Sequence, residues 1–102
     1  MVHRLVVSFG QPEDPAVFDA YRVGTHIPLV KQLPGRLHLT VGHAQPIDPA
    51  QPWPYLVAEL DFESEEAMGR ALGSPEGGTV GSDLANFATG GAVLTHFDVH
   101  DL

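Results

Sequence analysis

Four stretches of the chain alternate apolar and polar side chains with the two-residue period of a β-strand, and the segments between them carry apolar residues at helical spacing. From His3 to Phe9, the side chains of His3, Leu5, Val7 and Phe9 fall on one side and those of Arg4, Val6 and Ser8 on the other. From Arg36 to Ala44, Leu37, Leu39 and Val41 share a face opposite His38 and Thr40. From Tyr55 to Phe62, Leu56, Ala58, Leu60 and Phe62 oppose Tyr55, Val57, Glu59 and Asp61. The last stretch, Ala92 to His100, sets Val93, Thr95, Phe97 and Val99 against Leu94, His96 and Asp98. Each predicts a strand.

The helical segments carry their own start signals. Asp14-Pro15 supplies an N-cap and a proline at the first helical position, ahead of Val17, Phe18 and Tyr21 at helical spacing. Gly24 and Pro28 both oppose a continuous helix, so a kink or short break is expected before Leu29, Val30 and Leu33 resume the apolar stripe, which Pro34-Gly35 ends. Ser64, with Glu65 and Glu66 in the first turn, starts a second helix that runs to about Gly73 and buries Ala67, Met68, Ala71 and Leu72. Ser74-Pro75 repeats the cap-then-proline signal and predicts a short third helix through Val80, Leu84 and Phe87, weakened by Gly77, Gly78 and Gly81. Four prolines between Gln45 and Pro54 make the link between the second and third strands an exposed connection.

The resulting order, β-α-β-β-α-β, is the split βαβ arrangement: an α+β fold with a four-stranded antiparallel sheet and helices on one face. The other face then lacks cover. Val6, Val57, Val93 and Phe97 are too apolar for a fully solvated surface, so a homodimer packed sheet against sheet is expected.

Composition narrows the function classes. At 102 residues and 43% hydrophobic, the chain has material for one core, so residues 1–102 are expected to form one domain. Five basic residues against thirteen acidic ones give a formal charge of -8, which repels phosphate backbones and anionic membranes; neither nucleic acid nor membrane is an expected partner. There is no cysteine, which removes disulfides, thiolate catalysis and cysteine-ligated metals. The apolar run after Met1 is much shorter than a signal-peptide core or a membrane span, and a soluble cytoplasmic protein is expected.

The chemistry-bearing stretch is Tyr21-Arg22-Val23-Gly24-Thr25-His26-Ile27-Pro28-Leu29-Val30, which sets a phenol and an imidazole inside an amphipathic segment. On an unbroken helix residues five apart are about 140° apart, so Tyr21 and His26 share a pocket only if the helix is distorted near Gly24. The same stretch carries a family resemblance. Pro12-Glu13-Asp14-Pro15, Phe18-Asp19-Ala20-Tyr21, His26-Ile27-Pro28-Leu29-Val30 and Leu33-Pro34-Gly35 resemble the first half of the EthD family, and Ser74-Pro75-Glu76-Gly77 with Asp83-Leu84-Ala85-Asn86-Phe87-Ala88-Thr89-Gly90-Gly91 resemble its second half. The resemblance implies a ferredoxin-like subunit of the dimeric α+β barrel superfamily, with a pocket between sheet and helices in each subunit. It also implies a range of functions, since the family's namesake belongs to a bacterial ether-degradation gene cluster. Relatives in the superfamily include cofactor-free monooxygenases, polyketide cyclases, lactone isomerases and haem enzymes.

His26 is therefore the leading candidate base, with Tyr21 or His38 as the donor that steadies a developing oxyanion in a cyclase, dehydratase or cofactor-free oxygenase reaction. His38 is expected to point into the intersubunit barrel. Thr40, Glu59, Phe87 and His96 are candidate ligand contacts, and mid-strand Glu59 is expected to be more enclosed than Asp61, with a raised pKa as the result. His96 and His100 have the spacing that chelates metal on a helix, but on a strand they stand about 13 Å apart. No metal and no cofactor is expected. Two function classes follow: an enzyme that moves a proton on a small apolar or aromatic molecule, and a non-catalytic ligand-binding or accessory protein of an oxidative degradation or biosynthetic pathway.

Overall fold

In the computed structural model, which describes residues 2–102, the strands β1 (His3–Phe9), β2 (His38–His43), β3 (Leu56–Phe62) and β4 (Ala92–Asp98) form one antiparallel sheet in the order β2-β3-β1-β4. Pairing trims the strands relative to the alternation that announces them. Arg36 and Leu37 fall outside β2, although the Leu37 amide still donates to the Asp61 carbonyl at 2.8 Å. β4 stops at Asp98, one residue before the Val99 amide reaches the Val2 carbonyl at 2.9 Å.

Register decides which side chains meet. Leu5 stands opposite Leu60, Val7 opposite Ala58 and Phe9 opposite Leu56, while Leu39 of β2 faces Leu60 and Leu94 of β4 faces Val7. These residues share the helix-covered face. Because side chains alternate, Arg4, Val6, Val57, Glu59, Asp61, His38, Thr40, Val93 and Phe97 share the outer face. No helix covers that side among the described residues, and Val93 and Phe97 are 64% and 46% exposed there.

The helices are α1 (Pro15–Tyr21), α2 (Ile27–Val30), α3 (Glu65–Leu72) and α4 (Pro75–Asp83), followed by a 3-10 turn over Leu84–Asn86. Their N-caps are those the sequence marks: Asp14 accepts from the amides of Ala16 and Val17, Ser64 from Ala67, and Ser74 from Gly77. Phe9, Phe18, Phe62 and Leu56 are fully buried, and Phe18 meets Phe9 and Phe87 with ring centroids 5.4 and 5.1 Å apart. A Cβ at Gly77 would collide with the carbonyls of Ala71 and Leu72, so that glycine lets α4 start directly against the end of α3. No helix among the described residues is long and apolar enough to cross a membrane.

Candidate functional site

Between α1 and α2 the backbone forms a π-helical turn over Arg22–His26, in which the Ile27 amide donates to the Arg22 carbonyl five residues back. This is the distortion that the Gly24–Pro28 segment predicts. Pro28 has no N–H to donate and its ring would press on the carbonyl four residues earlier in a regular helix; a wider turn relieves that crowding. The wider turn also takes up one extra residue per revolution, so Tyr21 and His26 come round to the same side.

Both side chains meet on one carboxylate. The Tyr21 hydroxyl donates to Asp83 Oδ1 at 2.6 Å, His26 Nδ1 lies 2.9 Å from Asp83 Oδ2, and the Asn86 amide donates to Oδ1 at 3.0 Å. Asp83, the last residue of α4, is only 6% exposed. Burial pushes its carboxyl upward, but the hydrogen bonds from Tyr21, Asn86 and His26 outweigh that effect and hold it below the usual carboxylate range. The same bond to Asp83, with some burial, raises the Tyr21 phenol above its ordinary value. An ionised Asp83 can only accept, so His26 Nδ1 carries the proton of that bond, which in the neutral ring places the lone pair on Nε2. Phe87 packs against both rings, stacked on Tyr21 at 5.2 Å and 4.7 Å from the His26 centroid, which restricts how far either can swing.

His26 also lines a cavity of about 80 Å³ between the sheet and the helices. Its walls include Leu5, Val7, Leu39, Leu60, Val80 and Leu84, and the described residues that line it are all apolar or glycine except Arg22 and His26. Arg22, 9% exposed, begins the π-helical turn, and among the described residues its buried Nε has no hydrogen-bond partner. His26 thus has one nitrogen tied to Asp83 and a ring at the cavity wall, the arrangement of an oriented general base.

The remaining sequence-predicted residues lie elsewhere. Tyr21 and Phe87 support His26 from behind and do not line the cavity. His38, Thr40 and Glu59 are on the outer face, with the His38 side chain 74% exposed. There the expected order of enclosure is reversed: Asp61, not Glu59, is the buried carboxylate, because Arg4 grips it through Nε at 2.8 Å and Nη2 at 3.1 Å. The Arg4 hydrogen bond holds Asp61 below the usual range against the opposing effect of burial. Glu59 stands 3.8 Å from Arg4 at a more open position.

His96 points to the helix-covered side but away from the cavity. Its Nδ1 lies 2.8 Å from His3 Nε2, and His3 Nδ1 lies 2.7 Å from Asp98. Strand spacing keeps His96 apart from His100, and the pairing of β4 with β1 sets it beside His3. Ligand atoms of His3, Glu65 and His96 lie within 4.8 Å of one another, which makes these the residues able to hold a metal ion, although the two imidazoles already hydrogen-bond to each other.

Residues 10–91 match the EthD domain. The chain belongs to the EthD domain family. It is 37% identical over 97 residues to an uncharacterized 11.0 kDa protein of Rhodococcus erythropolis from the thcB-thcC intergenic region, a match covering 95% of this chain and 94% of that one. It is similar to the crystal structure of an EthD family protein from Bacillus halodurans, with a TM-score of 0.89, 28% identity and coverage of 98% of this chain and 100% of that one. The same fold occurs in a variant of SnoaB, a cofactor-independent oxygenase from Streptomyces nogalater, at a TM-score of 0.70 and 19% identity over 99% of this chain and 95% of that one. Other structures sharing the fold are described as dimeric ferredoxin-like proteins, and the chain itself has the ferredoxin-like fold.

Proposed function

We propose that this chain binds a small, largely apolar organic molecule in the cavity between sheet and helices, and that His26 removes a proton from it. The observation that carries this reading is His26, held by Asp83, at the wall of a cavity that Arg22 and otherwise only apolar residues and glycine line. In the reaction, Nε2 accepts a proton from carbon, the electron pair passes into the adjacent carbonyl to give an enolate, and the imidazolium is stabilised by Asp83. Tyr21, with its hydroxyl on Asp83, is a positioning residue in this scheme rather than the oxyanion donor. Proton abstraction of this kind opens cyclase, dehydratase and cofactor-independent oxygenase chemistry, and SnoaB carries out the last on the same fold. The working unit is a homodimer, which the dimeric proteins of like fold support, and the uncovered apolar residues of the outer sheet face make that face the joint. A cysteine-free chain suits a reducing, cytoplasmic setting.

The test is exchange of α-protons for deuterium in acetophenone and 3-methylbutan-2-one, followed by NMR in the presence of the wild-type dimer and of His26→Gln. The wild type is expected to accelerate exchange, and the variant to lose about a hundredfold of that rate or more while keeping ligand-induced shifts of the Leu39 and Val80 methyls. Exchange unaffected by the substitution removes His26 from the mechanism. Ligand-induced shifts with no exchange in either protein favour the non-catalytic binding role.

A further inference from the structure

We infer that Arg22 is a carboxylate anchor, and that this cavity prefers a small apolar acid to the neutral analogue of the same shape. The inference rests on the cavity reading above and adds the substrate's charge to it.

A guanidinium does not lose its proton in a protein, so a buried arginine keeps its charge wherever the fold puts it. Burial of such a cation is costly unless an acceptor and a counter-charge are supplied. Arg22 has neither in full: among the described residues nothing accepts from its buried Nε–H. Asp19 feels the Arg22 charge, yet its two oxygens accept from the Tyr55 hydroxyl at 2.8 Å and from His43 at 3.3 Å. Nε itself is sealed off, so an acceptor reaches the guanidinium only through its Nη groups, which make no hydrogen bond or ion pair among the described residues. We place that acceptor in the cavity Arg22 lines, whose other walls apart from His26 are Leu, Val, Ile, Ala, Phe and Gly and offer no side-chain oxygen.

The chemistry of that acceptor is constrained further. A neutral carbonyl would satisfy the N–H but leave the charge uncompensated, whereas a carboxylate supplies both, in the bond type that arginine makes most strongly. The molecule's body must match the apolar walls. Arg22 and His26 open and close the same π-helical turn and both line the cavity, so the anchor for the acid and the candidate base belong to one wall. Long-range electrostatics works against such a ligand, because the chain carries a formal charge of -8. Any preference for an acid over its neutral analogue must then be local, and Arg22 is the charged residue lining the cavity.

Calorimetric titration of the intact protein with benzoate and isovalerate, each beside its amide, tests this directly, with the Leu39 and Val80 methyl shifts reporting that binding is in the cavity. Each acid is expected to bind about tenfold or more tightly than its amide. In Arg22→Met, which keeps the length and apolar stem of the side chain, the acid preference should vanish while amide binding persists. Arg22→Lys should retain part of the preference, as a point charge without the planar fork. Equal affinity of acid and amide for the wild type, or an acid preference that survives in Arg22→Met, overturns the anchor but leaves the cavity as a ligand site. Binding of neither class at millimolar concentration overturns both readings.

Discussion

Asp83 does the organising at the scale of single residues, because three donors from two separate parts of the chain converge on its two oxygens. Asp83→Asn replaces a pure acceptor by a group that turns an N–H toward one of those donors, and is expected to lower stability by about 1–3 kcal/mol in urea unfolding. A pH dependence follows with a definite sign. The Asp83 and Asp61 carboxyls are held below their ordinary values in the folded chain, so their stabilisation is fully present above the unfolded value of about 3.9 and is lost as pH falls through the lower folded value. Urea midpoints should therefore drop below about pH 4, and Asp83→Asn should flatten that drop. Tyr21 and His26 were legible in the sequence because they sit in one short amphipathic motif. Asp83 was not, being 62 and 57 residues from Tyr21 and His26 and lying at the end of a glycine-rich helix with no local mark of burial. Arg22 escaped for the opposite reason, since an arginine on an amphipathic segment reads as solvated until the backbone turns it inward.

At the scale of elements, alternation located all four strands and cap residues located α1, α3 and α4, followed by proline in α1 and α4 and by glutamates in α3, because both patterns are local consequences of backbone geometry. Which strand neighbours which is not local, so the contact of His96 with His3, which depends on β4 pairing with β1, had no mark in the sequence. The helix α4 was expected to be weak, and its glycines now separate by environment. Gly78 is exposed and a Cβ there meets nothing within 4 Å, so Gly78→Ala should stabilise the protein by about 0.5–1 kcal/mol. Gly77→Ala should destabilise it, since its Cβ runs into the end of α3. Thermal or urea unfolding of the two variants side by side checks the contrast.

For the whole molecule, the outer sheet face is the feature that one chain leaves unfinished. Exposed Phe97 stands opposite Arg4 of the Arg4–Asp61 pair and exposed Val93 lies further along the same edge strand, a surface with an apolar part to bury and a charged part to orient it. Sedimentation equilibrium at micromolar concentration is expected to give a dimer, and Phe97→Glu a folded monomer with an unchanged far-ultraviolet circular dichroism spectrum. A wild-type monomer would count against the sheet-to-sheet arrangement. The π-helical turn has a consequence at this scale as well, in the comparison of whole chains. A tyrosine and a histidine separated by five positions across a π turn present the same face as a pair separated by four on a plain α-helix. The extra residue behaves as an insertion absorbed inside the helix, so a chain with one residue fewer there and no proline at the position of Pro28 is expected to run straight and still deliver both side chains to Asp83. Aligned by position, two such proteins would show a gap in the middle of the motif; aligned by the groups that meet, they would show none.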